Sequence, residues 1–198
     1  MRRLVFTALA ATACGRGESG PPAREIHLER WDAGGLPVVG DIDITVRGFD
    51  PAGDLSNASG SVEVVCDPCV IEDTKLAPPR MRSSRAQAFA GEGISFPRVD
   101  LGMVRGTLTV ANGRGTIEGR AAGGPALEIA LSGTIAFAPT LAAAESDLTF
   151  VFRPAADLAT SSPQLSSILM ILAPADPSGA VTVEMKGPLG RLRPVSRR

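Results

Sequence analysis

The chain has 198 residues, of which 44% are hydrophobic and 21% charged, and its net charge is −1. This length suits one β-rich domain with its own core, and the apolar composition excludes a disordered chain. Binding to nucleic acid depends on clustered Lys and Arg, so the balanced charge argues against a nucleic-acid partner.

The first 14 residues have the features of an export signal. Arg2 and Arg3 form a basic start, and the apolar run from Leu4 to Ala13 ends at Cys14. This run is about half of the roughly 20 residues that a membrane-spanning helix needs. The small residues before Cys14 resemble those that precede the lipid-modified cysteine of bacterial lipoproteins, which makes Cys14 a candidate lipidation site. Cleavage without lipid, and a start that truncates a longer anchored protein, are the alternatives.

A tether joins this segment to one predicted domain. Residues 15–23 are rich in Gly, Pro and Ser, which is typical of flexible linkers. Along residues 24–198, apolar and polar residues alternate repeatedly, which is the pattern of strands with one buried face. The alternation is clearest in residues 41–47, 127–132, 147–153 and 181–185. Because strands of parallel sheets are apolar on both faces, this pattern predicts an antiparallel sheet.

The chain's single histidine, His27, falls in a predicted strand over residues 25–31. A histidine base or an imidazole-rich metal centre would depend on this one side chain, so we interpret it as an exposed or hydrogen-bonded strand residue. The carboxylate pairs Asp41 with Asp43 and Glu72 with Asp73 are explained as solvated strand and loop residues, without glycosidase chemistry.

Motifs of enzymes are lacking elsewhere. No serine lies in a Gly-x-Ser-x-Gly elbow, and the glycine-rich stretches lack a phosphate-loop lysine. With 4% aromatic residues there are few platforms on which sugars could stack. The sequence therefore predicts a protein that is not an enzyme and that carries no cofactor or metal.

Cys66 and Cys69 are separated by Asp and Pro. In an exported protein, such a pair is expected to form a disulfide that closes a small loop at a strand end. A thioredoxin-like redox site is the alternative, but it needs the pair at the start of a helix, and strand-like residues 61–65 and 70–71 flank this one. A zinc site would need two further ligands, and the chain has no second cysteine pair.

Turn residues predict that consecutive strands pair as a meander. Asn112-Gly113 lies between strand-like residues 107–111 and 115–120 and favours a tight hairpin. Further breaks are predicted at residues 51–53 and 123–125. Glycines inside or at the ends of strands predict a bent sheet: Gly48, Gly106, Gly119, Gly133 and Gly187.

One late helix interrupts the strands. Ser162 is a candidate N-cap, Pro163 suits the first turn, and Pro174 ends the segment. Its predicted buried face consists of Leu165, Ile168, Leu169 and Leu172, whereas Met170 and Ile171 lie off that face. The sequence thus predicts a mostly β fold, with a curved, groove-like antiparallel sheet covered by one late α-helix.

Several stretches resemble one family, type II secretion system protein N (GspN), especially its versions from myxobacteria and their relatives. The most similar are Ile94-Ser-Phe-Pro-Arg-Val-Asp-Leu-Gly and Gly106-Thr-Leu-Thr-Val-Ala-Asn-Gly-Arg-Gly-Thr-Ile-Glu-Gly. Leu127-Glu-Ile-Ala-Leu-Ser-Gly-Thr-Ile, Ser146-Asp-Leu-Thr-Phe-Val-Phe-Arg-Pro and Met185-Lys-Gly-Pro-Leu-Gly-Arg-Leu-Arg-Pro follow in the same order. The resemblance covers about residues 24 to 195.

The resemblance implies an accessory component of the machinery that moves folded proteins from the periplasm across the outer membrane of Gram-negative bacteria. It implies a periplasmic location with attachment to the inner or outer membrane, other secretion components as partners, and no active site. Members of the family usually carry an N-terminal membrane helix, and this chain departs from them there. Because GspN is similar to AsmA-like proteins, whose β-grooves are associated with lipid handling, lipid binding or transfer is the alternative function.

Overall fold

The computed structural model describes residues 22–33, 36–48, 53–76 and 94–195, so Cys14 and the signal-like segment lie outside the described residues. The strands are β1 (Arg24–Ala33), β2 (Leu36–Arg47), β3 (Gly60–Ile71), β4 (Thr74–Leu76), β5 (Ile94–Phe96), β6 (Val99–Ala111), β7 (Arg114–Gly123), β8 (Leu127–Ala136), β9 (Glu145–Pro154), β10 (Val181–Pro188) and β11 (Arg193–Pro194). The α-helices are α1 (Leu158–Ser161) and α2 (Pro163–Leu172), and 3-10 turns cover Leu141–Ala143 and Leu189–Arg191.

Nine of the described strands form one open, curved antiparallel sheet in the order β1-β2-β3-β6-β7-β8-β9-β10-β11. Strands β4 and β5 pair with each other in a separate two-stranded ribbon between β3 and β6. Apart from this excursion, neighbours in sequence are neighbours in the sheet. The antiparallel meander predicted from the turns and the alternation is therefore confirmed.

The alternation sorts side chains onto two faces, as predicted. On β2, Ile42 and Val46 are buried while Asp41 and Asp43 are exposed. We call the face that carries Ile42 the inner face and the opposite one the outer face. Later strands contribute further buried residues to the inner face: Leu127, Ile135, Leu148, Val181 and Val183. Burial of these aliphatic side chains is the main contribution to the stability of the fold.

The hairpin between β6 and β7 has the tight turn that its sequence predicts. Asn112 and Gly113 have φ angles of 49° and 71°, and the turn pairs Ala111 with Arg114. Positive φ at both central residues matches the twist of the two strands. Gly113 is required for a second reason, because a Cβ atom there would run into the carbonyl oxygen of Ser56.

The predicted late helix is α2, with Leu165 and Leu169 buried as expected. The short helix α1, which precedes it, was not predicted. Ser162 makes no side-chain capping bond, because it also ends α1, where its backbone N–H donates to the Leu158 carbonyl oxygen. Leu172 was expected on the buried face, but it lies in the last helical turn and is exposed.

The inner face carries two apolar clusters. The larger one packs Leu158, Leu165 and Leu169 of the helices against buried residues of the sheet, including Leu101 and Val183. The smaller one lies around Ile135, Ala144 and Leu148, where Ala144 directly follows the first 3-10 turn and Leu189 of the second turn packs against the cluster. The helices therefore cover part of the inner face, and the area between the two clusters is less densely packed than the clusters themselves.

Candidate functional site

An apolar cavity of about 330 Å³ lies on the inner face of β3, β6, β7 and β8. Its inward-facing lining consists of aliphatic and aromatic side chains: Val62, Val64, Leu101, Val104, Leu108, Ile117, Ala121, Ile129, Leu131 and Phe150. Phe150 packs against both apolar clusters, which places the cavity between them. A cavity of this size is at the lower end of the range that small-molecule sites occupy.

Two glycines form the floor of this cavity. Gly106 of β6 pairs directly with Gly119 of β7, so two adjacent inner-face positions lack side chains. Their neighbours across the sheet are Val64 on β3 and Leu131 on β8. The missing side chains leave a hollow in an otherwise continuous apolar layer.

From the sequence these glycines were expected to bend the sheet, and that expectation does not place a cavity above them. The signal was present, however, in the predicted hairpin. The Asn112-Gly113 turn pairs Ala111 with Arg114, and counting outward from that pair brings Gly106 opposite Gly119. Their position on the inner face then follows from the alternation along β6.

Polar side chains near the cavity belong to the outer face. Arg105, Thr107, Glu118 and Arg120 border the cavity, but they are exposed and alternate with its inward-facing residues along β6 and β7. Ion pairs such as Arg120 with Glu128, at 3.4 Å, lie on this outer face. The cavity itself therefore offers hydrocarbon contacts and no charged group.

Cys66 and Cys69 lie at disulfide-bonding distance, with Cα atoms 5.2 Å apart. Both belong to the larger apolar cluster and are buried. They lie within the continuous strand β3 rather than at a strand end, because the ladder to β6 shifts register between them. The pair thus closes a bulge in the middle of β3, in a strand and not at a helix start.

His27 and two carboxylates form an exposed group on the outer face of β1 and β2. The Nδ1 atom of His27 lies 3.0 Å from the Oδ1 atom of Asp43 and 3.2 Å from the Oδ1 atom of Asp41. The hydrogen bond to Asp43, together with the nearby negative charges, raises the pKa of His27. All three side chains have ligand atoms within 4.8 Å of one another, so the group has the spacing of cation ligands, although exposed acidic residues commonly have this spacing without an ion.

Strand β1 forms one end of the sheet. Among the described residues, no strand pairs with it on the side away from β2. It is ten residues long and carries Trp31, the chain's only tryptophan, which is 49% exposed. The opposite end is different, since β11 consists of two residues. Long, unpaired edges of this kind can accept a further strand.

Helix α2 presents a second exposed apolar feature. Met170 and Ile171, predicted to lie off the buried face, are 68% and 84% exposed. They border a hollow beside β10 whose lining also includes Asp176 and Glu184. Across the part of the chain that the structure describes, no helix has the length and apolar character needed to cross a membrane.

Comparison with known proteins adds no assignment: no family model matches the chain, and neither a curated protein nor a solved structure matches it.

Proposed function

We propose that this chain is a non-catalytic periplasmic binding module that serves as an accessory component of the type II secretion system. The proposal is supported by the resemblance to GspN over residues 24 to 195. The stretches that carry this resemblance lie on successive strands of the structure, from β5 to β11. Attachment to a membrane through Cys14, in the inner or outer membrane of a Gram-negative bacterium, is part of the proposal.

The observation that carries this proposal is the outer edge of β1, with which no other strand pairs among the described residues, together with its exposed Trp31. A partner strand can extend the sheet here through main-chain hydrogen bonds, and side-chain contacts then give specificity. A tryptophan at the centre of an interface commonly contributes a large share of the binding energy. A strand from another secretion component is therefore the proposed occupant of this edge.

Photo-crosslinking in cells tests the edge directly. A photoreactive amino acid replaces Trp31 in one variant and Leu141 in another. Leu141 is a matched control, because it is 52% exposed and lies in a 3-10 turn beside the smaller apolar cluster. We expect crosslinks from position 31 to a component of the secretion apparatus, identified by mass spectrometry, and none to that component from position 141. Crosslinks from both positions alike would contradict docking at the edge.

A second candidate function is supported by the cavity. A curved sheet with a hydrocarbon-lined hollow suits an envelope lipid-binding or lipid-transfer module of the AsmA-like kind. In that case the inner face, rather than the edge, is the functional surface. The two functions differ in their cellular readout, since loss of the chain would change secretion in the first and membrane lipid composition in the second.

A further inference from the structure

The two glycines under the cavity are not required by the backbone. Neither Gly106 nor Gly119 has a positive φ angle. A Cβ atom on Gly106 would meet only the Glu118 carbonyl oxygen, at 3.7 Å, and one on Gly119 would have its nearest neighbours at 3.5 Å. Both are ordinary van der Waals distances, so a Cβ atom fits sterically at each position.

Other glycines of the sheet differ in this respect. Gly102, for example, has a φ angle of 66°, and a Cβ atom there would lie 2.6 Å from the carbonyl oxygen of Ala122. Glycine is therefore needed at position 102 for conformation and for space. At 106 and 119 the folded chain needs it for neither, although glycine inside a strand weakens the strand.

What the glycine pair does preserve is the hollow. A side chain at either position would project from the inner face into the space between Val64 and Leu131. Proteins rarely leave apolar space of this size unfilled, because the lining loses its packing contacts. Two adjacent glycines thus keep open a cavity that one valine would partly fill.

The chemistry of the lining selects the ligand. A polar group placed in this cavity would lose its bonds to water without gaining a partner from the inward-facing side chains. A hydrocarbon guest would bury its own apolar surface and that of the lining at the same time. Cavities lined by leucine, isoleucine and phenylalanine likewise stay dry and bind apolar guests. A volume of about 330 Å³ suits part of one chain rather than the two chains of a diacyl lipid.

We propose that the cavity above Gly106 and Gly119 binds the unbranched hydrocarbon tail of a single acyl chain. The polar head group stays outside, on the open part of the inner face that the helices do not cover. This inference rests on the second candidate function and makes it specific, because it names the ligand class and the two residues that admit it.

The test compares the purified full chain with two valine variants on the same strand. Gly106→Val fills the cavity from the inner face, and Thr109→Val, the matched control, changes an exposed outer-face position of the same strand that does not border the cavity. Binding of palmitate and of 1-palmitoyl-lysophosphatidylethanolamine is measured by isothermal titration calorimetry, and folding is checked by thermal melting. The two probes share a chain and differ in head group, so they separate a fatty acid from a lipid as the source.

We expect the parent chain and Thr109→Val to bind at least one probe equally well, and Gly106→Val to bind it at least tenfold more weakly while melting no lower than the parent. If Gly106→Val fails to fold, Gly119→Val is used in its place. Absence of binding by the parent, or equal binding by the parent and the filled variant, would overturn the inference. Secretion by cells that lack the gene is measured separately, so failure here is distinguishable from failure of the proposed secretion role.

Discussion

His27 shows how neighbouring charges set the behaviour of one exposed residue. Its imidazole lies opposite Asp43 in the β1–β2 ladder. Asp41, two residues before Asp43 on β2, lies close to the same nitrogen, Nδ1. A protonated imidazole donates to Asp43, so the bond favours the charged form. Protonation of His27 therefore strengthens its contact with Asp43, which joins the edge strand β1 to β2.

A pH dependence follows from the raised pKa. In the folded chain His27 titrates above its ordinary value of 6.5. Its contribution to stability is therefore fully present below pH 6.5 and is lost as the pH rises through the folded-state value. We expect Asp43→Asn to lower the His27 pKa more than Asp41→Asn does, because the Asp43 hydrogen bond is the larger cause. The pKa is read from the imidazole proton shifts in an NMR titration, and equal values in the parent and Asp43→Asn would contradict this account.

At the scale of the element, helix α2 divides into a buried and an exposed side. Leu165 and Leu169 are 2% and 4% exposed and pack with the sheet residues of the larger cluster. Ile171 is 84% exposed, two residues further along the same helix. The helix therefore contributes to stability through one side only, and its other side is available for contacts.

Truncation of the two sides should have unequal effects. Leu169→Ala should lower the free energy of unfolding by about 2–5 kcal/mol, because it removes a buried side chain and leaves a cavity. Ile171→Ala, the control on the same helix, should change it by less than about 0.5 kcal/mol. Urea denaturation followed by circular dichroism measures both. A loss for Leu169→Ala as small as that for Ile171→Ala would mean that the helix does not pack on its Leu169 side.

The elements were predictable where a local rule determines them. The hairpin turn follows from Asn112-Gly113, the inner-face residues from strict alternation, and the span of α2 from Pro163 and the leucine spacing. The bulge at Cys66 and Cys69 was not predictable in this way, because it depends on the register of β3 against β6. The cavity also required long-range information, since the hairpin alone pairs Gly106 with Gly119 but the separation of the two apolar clusters depends on residues far apart in the chain.

At the scale of the whole molecule, the sheet offers two distinct surfaces for binding. The edge of β1 with Trp31 can bind a strand from another protein. The cavity above Gly106 and Gly119, on the inner face, can bind an acyl chain. The two surfaces lie on different parts of the nine-stranded sheet, because β2 and β3 separate β1 from the strands that carry the glycine pair. Substitutions can therefore alter one surface and spare the other.

The most direct test of the proposed secretion role is the distribution of a folded type II substrate between periplasm and medium in a strain that lacks the gene. The strain is complemented with the parent chain, with Trp31→Ala or with Leu141→Ala, and the level of each variant is checked by immunoblot. We predict that the substrate accumulates in the periplasm of the deletion strain, and that the parent and Leu141→Ala restore its secretion while Trp31→Ala does not. Normal secretion in the deletion strain would contradict the proposal, and an altered outer-membrane lipid composition in that strain would then favour lipid handling.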